Sequence, residues 1–321
     1  MALGFPCAHS LALVAFLATS CSDNPSIIDS GEEGKSSRSD RLREEGEFVF
    51  ADGSSYTGEL VDGNPDGFGQ RLFLNKDVYE GDFRNGHQNG EGSMIYRSTP
   101  SISRYDGTWV ADKRHGSGTL KYADGSIRKG YWANDSFKRG ALQTAEGTIF
   151  DGIWTGDAFV RGTADFADNS YYTGSWIDDD FNEGTLFTTG GNRYVGTFRK
   201  GLYHGSGSLE LENGETYVGQ FQDGVYHGIG HLEYLDGRIY AGQFESDRPH
   251  GNGWQSDPSG VEYVGSWENG DRHGGGVLTF ADGSRFSGNF EKGRAVDGQY
   301  FWADGRVTRS YQDESGEWKD R

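Results

Sequence analysis

Residues 194–217 have the sequence YVGTFRKGLYHGSGSLELENGETY, and this stretch decides the fold. Its first segment places an aromatic residue, a glycine and a second aromatic residue on one face of a strand, because side chains alternate along an extended chain. A turn over 199–203 leads into a second segment in which glycines and leucines alternate with polar residues. Asn213-Gly214 then predicts a tight turn into the next aromatic segment. The unit is therefore predicted to be a β-hairpin with one aromatic face and one mostly polar face.

The same unit recurs along most of the chain, with a central glycine in each aromatic segment. The spacing between central glycines is 22 or 23 residues, apart from one spacing of 26. A fixed period of this size indicates a repeat array rather than two compact domains. The central glycines are Gly58, Gly81, Gly107, Gly130, Gly152, Gly174, Gly196, Gly219, Gly242, Gly265 and Gly288.

The glycines share a face with the aromatic residues, and we interpret them as leaving room for a neighbouring ring to lie on the backbone. A valine at such a position is expected to overpack the face at a cost of about 1–3 kcal/mol. The aromatic face is predicted to consist of Tyr79, Phe83, Tyr105, Trp109, Trp154, Tyr172, Trp176, Tyr194, Phe198, Tyr217, Phe221, Tyr240, Phe244, Tyr263, Trp267, Phe286 and Phe290.

One unit carries a family resemblance at every motif position: Tyr263-Val-Gly-Ser-Trp267, Gly270 and His273-Gly-Gly-Gly276. It resembles the MORN (membrane occupation and recognition nexus) repeat, and the resemblance covers about residues 46–305. It implies an all-β, elongated single-sheet solenoid of about eleven tandem hairpins. It also implies a scaffold for protein contacts or self-association, or a binder of phospholipid headgroups.

Some units depart from the pattern. In four of them we predict a turn that is one residue longer and the loss of the second glycine, around Gly140, Gly162, Gly184 and Gly298. Three of these are consecutive, so residues 130–190 are predicted to differ in curvature. Residues 97–103 account for the spacing of 26 and predict a bulging loop. The array is predicted to span residues 46–312, followed by a tail over 313–321.

The first 21 residues contain an eight-residue apolar run, 11–18, typical of a signal-peptide core. Ala18-Thr-Ser20 before Cys21 resembles a bacterial lipobox, which implies cleavage after residue 20 and acylation of Cys21. The alternative is an ordinary secretory signal with Cys21 incidental. Residues 21–45 predict a flexible tether. The protein is therefore expected to be exported, either as a lipoprotein of the cell envelope or as a secreted soluble protein.

The charge of the chain restricts its partners. Residues 1–21 carry no charged side chain and residues 22–45 carry seven acids and four bases, which leaves −16 of the net −19 on residues 46–321. A surface this acidic disfavours nucleic acids and anionic membranes. Both cysteines, Cys7 and Cys21, precede the repeats, so the array has no cysteine-based metal site.

The sequence carries no catalytic motif, and no enzymatic activity, cofactor, metal or small-molecule substrate is predicted. Five histidines precede a glycine at one phase of the repeat, and a role in stabilising turns is favoured over a metal site because neighbours lie roughly 10 Å apart. Residues 178–184 are predicted to form a solvated loop rather than a calcium site. The histidines are His115, His204, His227, His250 and His273.

The leading interpretation is an envelope-tethered scaffold that binds a protein, or a second copy of itself, in a groove on the aromatic face if its own rings leave that face open. Binding of a cell-wall glycan is an alternative, because aromatic rings beside carboxylates suit sugars. Binding of anionic phospholipid is a second alternative, and it needs a local basic patch formed by residues such as Lys121, Arg128, Lys129, Lys138 and Arg139.

Overall fold

A computed structural model describes residues 42–321, and these residues form one antiparallel sheet in which every strand pairs with the next along the chain. The predicted all-β array of hairpins is thus confirmed. Residues 1–41, including Cys21 and the predicted signal peptide, lie outside the described residues. The strands are β1 Arg43–Val49, β2 Ser55–Val61, β3 Asn64–Leu72, β4 Val78–Arg84, β5 His87–Ile95, β6 Ile102–Val110, β7 Lys113–Tyr122, β8 Ile127–Ala133, β9 Ser136–Gln143, β10 Ile149–Thr155, β11 Ala158–Asp165, β12 Tyr171–Ile177, β13 Asp180–Phe187, β14 Arg193–Arg199, β15 Leu202–Glu210, β16 Thr216–Gln222, β17 Val225–Glu233, β18 Ile239–Glu245, β19 Arg248–Ser256, β20 Glu262–Glu268, β21 Asp271–Thr279, β22 Arg285–Glu291, β23 Arg294–Phe301, β24 Val307–Gln312 and β25 Trp318–Asp320.

A row of glycines crosses the sheet from β1 to β23. Each glycine of the row lies directly opposite the glycine of the next strand, beginning with Gly46 opposite Gly58 and ending with Gly288 opposite Gly298. The row continues as Ser310 in β24 and Asp320 in β25. Because side-chain direction alternates, this register places the aromatic residues of all units on one face.

Tyrosine rings cover this row in most units. A Cβ atom added to Gly92 would lie 2.5 Å from the ring of Tyr79, so only a glycine fits beneath it. The Tyr79 hydroxyl donates to the carbonyl of Asp82 at 3.1 Å, and Tyr79 is fully buried. The prediction that the glycines make room for rings is confirmed here. In β8–β11 the glycines approach the main chain of the neighbouring strand instead.

Two kinds of turn alternate along the array. The first is the predicted Asn-Gly or Asp-Gly turn, in which the Asn213 side-chain oxygen accepts from the Glu215 N–H at 2.9 Å. The second is a two-residue turn such as Lys200-Gly201, where both residues have positive φ, as in a type I′ turn whose twist suits a hairpin. Asp178-Asp179 is also a turn of this second kind, so the predicted solvated loop over 178–184 is replaced by a turn and the start of β13.

The prediction for the four irregular units is wrong in its detail. In a regular unit Gly196 lies opposite Gly207 and Thr197 lies opposite His204, so two residues bulge out between them. In an irregular unit Gly140 lies opposite Gly130, as Gly207 does opposite Gly196, and only one residue bulges. The irregular units therefore have a segment that is one residue shorter, and they lack the first glycine rather than the second. The sheet register, which the sequence spacing does not reveal, decides which glycine is retained.

The sheet extends beyond both ends of the predicted array. At the start, β1 already includes Arg43 to Glu45, and at the end β25 pairs with β24 within the segment predicted as a tail. The predicted loop over 97–103 forms a turn before β6. Its N–H groups at Arg97 and Ser98 donate to the Asp77 carboxylate at 2.7 and 2.9 Å. Burial alone would raise the pKa of Asp77, but these hydrogen bonds outweigh it and hold the pKa below its usual value.

Candidate interaction surfaces

The aromatic face is filled by its own rings. All seventeen aromatic residues predicted for this face are buried, and Tyr194, Tyr217 and Tyr240 are 0% exposed. Successive units pack edge to face, with 5.2 Å between the ring centroids of Tyr194 and Phe221 and 5.1 Å between those of Tyr217 and Phe244. In these units the open groove that the leading interpretation requires is not formed. The rings are the core of a one-layer protein, and truncating them would disturb the fold rather than a binding surface.

Burial also affects the chemistry of these tyrosines. It raises the pKa of Tyr194 and Tyr263 to about 12, because the phenolate would lose its hydration. The phenols are therefore neutral at physiological pH. They act as hydrogen-bond donors to the main chain, as Tyr194 does to the carbonyl of Thr197 at 2.9 Å.

One unit replaces the tyrosine by a buried arginine. Arg128 stands two residues before Gly130, and its side chain is 7% exposed. Its Nη1 donates to Asp157 Oδ1 at 2.7 Å, and its Cζ lies 4.8 Å from the ring centroid of Trp154 and 5.2 Å from that of Phe137. Carboxylate pairing and aromatic faces together stabilise a guanidinium at such a place. The Nε of Arg128 has no hydrogen-bond partner among the described residues.

This arginine lies beside a cavity of 540 Å³ on the aromatic face. A second guanidinium, that of Arg114, also lines the cavity, with its Cζ 4.5 Å from the ring centroid of Trp132 and its Nε 3.0 Å from Asp135 Oδ1. The basic patch predicted from the sequence includes Arg128, Lys129 and Arg139. The structure separates them, because alternation sends Lys129 and Arg139 to the polar face, where both are exposed.

The next unit contains a second cavity, of 230 Å³, on the aromatic face. Phe150 stands where tyrosine stands elsewhere, and its ring does not cover the glycine row. The residue directly opposite is Ala164, whereas Leu209 lies opposite Tyr194 in a regular unit. The smaller side chain leaves part of the face unfilled. The cavity is lined by Leu142, Phe150, Trp154, Asp157, Phe159, Trp176 and Asp179.

The polar face carries a surface that the sequence analysis missed. We name as the apolar row a series of side chains that lie in cross-strand register from β14 to β21, interrupted by Ser208 and His231. Val218 and Val264 are 54% and 56% exposed, and the other members are half-buried. The signal in the sequence is the repeated Tyr-Val-Gly, in which the valine points away from the tyrosine. The row consists of Val195, Val218, Ala241, Trp254, Val264 and Val277.

The polar face also contains a cavity of 890 Å³ over β3–β6. Five charged side chains line it, and one ion pair is formed among them: Arg104 Nε lies 2.7 Å from Asp106 Oδ1. The Thr108 hydroxyl donates to Glu91 at 2.6 Å. We assign this cavity no role.

The repeated histidines lie at the bulges of their strands. His250 and His273 lie 3.4 and 3.3 Å from the carboxylates of Glu245 and Glu268, and His204 lies 3.7 Å from that of Asp223. The Thr197 hydroxyl donates to the main-chain carbonyl of His204. Within residues 42–321 no three metal-ligating side chains come together. The same residues include no helix long and apolar enough to span a bilayer.

Comparison with known proteins identifies the repeat unit. The family model for the MORN repeat matches seven segments of this chain: residues 56–78, 79–98, 105–127, 194–216, 217–237, 240–262 and 263–285. It matches nothing within 128–193, where three of the four irregular units lie. Among curated proteins no match is found.

Several solved structures resemble the chain at low TM-scores. The TCP domain of Drosophila melanogaster SAS-4 (dCPAP), solved with a proline-rich motif of Ana2 (dSTIL), is 11% identical over 57% of this chain and 94% of that chain, with a TM-score of 0.29. A mutant TCP10 domain of Danio rerio CPAP is 13% identical over 86% and 98%, with a TM-score of 0.15. Virginiamycin B lyase from Staphylococcus aureus is 10% identical over 85% of each chain, with a TM-score of 0.14. Likenesses this low carry no argument about function.

Proposed function

Because the chain carries MORN repeats in seven places, we propose that this protein is a non-enzymatic scaffold, tethered to the cell envelope, that binds a protein partner along the polar face of its array. MORN repeat proteins commonly bind proteins or membranes. The tether rests on the lipobox-like sequence before Cys21. The choice of the polar face rests on the burial of the aromatic face.

The apolar row is the observation that carries this proposal. It crosses eight consecutive strands, which at about 4.8 Å per strand gives a stripe roughly 34 Å long. Apolar side chains aligned over such a distance on an otherwise polar surface are typical of a protein–protein contact. From β18 to β21 the members of the row lie directly opposite one another without interruption, so this part provides contiguous apolar surface: Ala241, Trp254, Val264 and Val277.

Affinity capture with the full chain from an envelope extract tests the partner. The variant Val218→Ser/Val264→Ser removes the two most exposed members of the row. The matched control Val49→Ser/Val307→Ser makes the same change at exposed valines near the ends of the array. We expect a protein that is captured by the wild type and the control but lost with the row variant. Equal capture by both variants would refute the role of the row.

The tether is tested separately. We expect Cys21→Ala to move the protein from the membrane fraction to the soluble fraction and to abolish incorporation of labelled fatty acid. If Cys21→Ala fractionates like the wild type and the wild type incorporates no fatty acid, the protein is not a lipoprotein and the alternative of a secreted soluble protein is favoured.

One observation favours binding of anionic phospholipid as a second candidate. Exposed Arg139 and Arg161 both lie opposite Ile153 on the polar face, and Lys129 is diagonal to Arg139. None of the three forms an ion pair within the described residues. Liposomes containing phosphatidylserine should then bind the wild type in a salt-sensitive manner and should not bind the variant Lys129→Glu/Arg139→Glu. Absence of binding at low salt would remove this candidate.

The glycan alternative depends on accessible rings, and the rings of the regular units are buried. If the full chain captures cell-wall material that remains bound at high salt, and captures no specific protein, the glycan alternative would be supported.

A further inference from the structure

Two neighbouring units of the aromatic face differ at two positions, with Arg128 and Leu142 in the first unit and Phe150 and Ala164 in the second. Arg128 and Phe150 both stand two residues before a glycine of the row, and they are 22 residues apart. Asp157 and Asp179 are also 22 residues apart, and each lies in the hairpin turn of the next unit, between β10 and β11 and between β12 and β13 respectively. In the first unit the arginine is paired with the carboxylate at 2.7 Å. In the second unit phenylalanine replaces the arginine, and the equivalent carboxylate has no ion-pair partner among residues 42–321.

A cavity lies beside the ring of Phe150, whose centroid is 5.4 Å from that of Phe159 and 5.6 Å from that of Trp176. Four aromatic residues and two aspartates line it: Phe150, Trp154, Phe159, Trp176, Asp157 and Asp179. Asp157 is already paired with Arg128, so Asp179 supplies the free negative charge. The volume of 230 Å³ has room for roughly seven or eight water molecules, which is enough for a guanidinium on its stem.

A second observation concerns the indole of Trp176. The indole N–H of Trp154 donates to the carbonyl of Gly140 at 2.9 Å, and that of Trp267 donates to Gly253 at 3.3 Å. Trp176 is only 8% exposed, and its N–H is buried without a hydrogen-bond partner among the described residues. A buried donor of this kind costs free energy unless an acceptor reaches it. The N–H of Trp132, which lies in the unit that contains Arg128, is unpaired in the same way, so the two units share this feature.

We propose that this cavity binds an arginine side chain of a partner protein, with the guanidinium between the rings and paired to Asp179. The proposal goes beyond the function proposed above, because this cavity lies on the aromatic face whereas the apolar row lies on the opposite, polar face. The preceding unit is the internal precedent: there the chain supplies its own arginine to the same surroundings. Arginine is favoured over lysine because a planar guanidinium stacks on rings and pairs with a carboxylate at once.

The first experiment titrates the full chain with a capped arginine, N-acetyl-arginine amide, and follows the heat of binding and the tryptophan fluorescence. N-acetyl-citrulline amide is the neutral isostere. We expect saturable binding of the arginine probe and binding of the citrulline probe that is weaker by about tenfold or more. No saturation at the solubility limit, or equal affinity for both probes, would overturn the proposal.

Matched turn variants locate the site. Asp178 and Asp179 are adjacent, both have positive φ, and asparagine tolerates that conformation as well as aspartate does. We expect Asp179→Asn to weaken binding of the arginine probe about tenfold and Asp178→Asn to leave it within about twofold. Equal losses of affinity in the two variants would indicate a general effect of negative charge and would contradict a specific site at Asp179. Phe150→Arg, which copies the preceding unit, should abolish binding by filling the cavity.

The capture experiment separates this inference from the proposed function. A protein that Asp179→Asn captures less well than the wild type supports the arginine contact, whether or not the apolar-row variant retains it. A partner lost with the row variant but retained in full by Asp179→Asn upholds the scaffold and refutes the arginine contact. Capture of no protein by the wild type refutes both as statements about a partner.

Discussion

Strands β14–β21 and strands β8–β11 belong to one sheet and share one glycine row, yet they fill the aromatic face differently. In β14–β21 the tyrosines are buried over the glycine row, and two of them stack on a partner ring, with 3.9 Å between the centroids of Tyr194 and Tyr203 and 3.8 Å between those of Tyr217 and Tyr226. In β8–β11 the tyrosine positions are occupied by Arg128 and by Phe150, whose ring does not cover the glycine row. Two cavities are present there.

The comparison separates register from packing. Gly130, Gly140, Gly152 and Gly162 pair in unbroken register although no tyrosine covers them. The main-chain ladder and the alternation of side chains are therefore sufficient to continue the sheet. The tyrosines serve to fill the face and stabilise it. The MORN repeat model matches four units over 194–285 and none over 128–193, where the units are one residue shorter.

The largest expected effect is alkaline unfolding of β14–β21. Burial raises the pKa of Tyr194, Tyr226 and Tyr263 to about 12, against about 10 in an unfolded chain. Because the folded pKa is the higher one, this contribution to stability is complete below pH 10 and is lost as the pH rises through 12. With 5-fluorotryptophan incorporated, the ¹⁹F resonance of Trp267 should reach its unfolded position at lower pH than that of Trp154. Simultaneous transitions would mean that the two regions unfold as one unit.

Truncation of the ring at the tyrosine position should differ between the regions. Tyr217→Ala removes a fully buried, stacked ring and should lower the free energy of unfolding by about 3–5 kcal/mol. Phe150→Ala removes a half-buried ring beside a cavity and should cost about 1–2 kcal/mol. Denaturant unfolding followed by far-ultraviolet circular dichroism measures both. Equal losses would contradict the difference in packing.

Two adjacent glycines test the row itself. A Cβ on Gly276 would lie 2.5 Å from the ring of Tyr263, whereas a Cβ on Gly275 meets nothing within 4 Å. Gly276→Ala should therefore cost about 3 kcal/mol by overpacking, and Gly275→Ala should change stability by no more than about 0.5 kcal/mol. The midpoints of chemical unfolding of the two variants give the comparison. Similar midpoints would remove the steric role of the row.

The smallest effect concerns the buried arginine. Asp157→Asn leaves the guanidinium of Arg128 without its carboxylate, but the Asp157 side chain is 95% exposed, so the loss should be only about 1 kcal/mol. Asp179 forms no ion pair among the described residues, so Asp179→Asn should leave the free energy of unfolding unchanged. Thermal unfolding of the two variants at low salt measures the difference in stability between them. An equal loss for Asp179→Asn would mean that a cation of the chain reaches it.

The sequence by itself determined the hairpin unit, its period, the two faces and the use of glycine beneath the rings. These features follow from local rules: side chains alternate along a strand, and Asn-Gly or Asp-Gly forms a tight turn. The pattern also carried the family resemblance, as in the motif around Tyr263 and Trp267. Residues within one unit lie close in the chain, so their spacing alone specifies them.

Only the tertiary structure decided how the units fit together. Whether the aromatic face is open depends on rings one unit apart, such as those of Tyr217 and Phe244, which meet only in the assembled sheet. The burial of Arg128 and the cavity at Phe150 likewise depend on neighbours on other strands, including Asp157 and Ala164. The apolar row also arises across strands, because alternation sends its valines to the polar face and register aligns them. Contacts between distant parts of the chain have no signature in local spacing, so they became visible only in three dimensions.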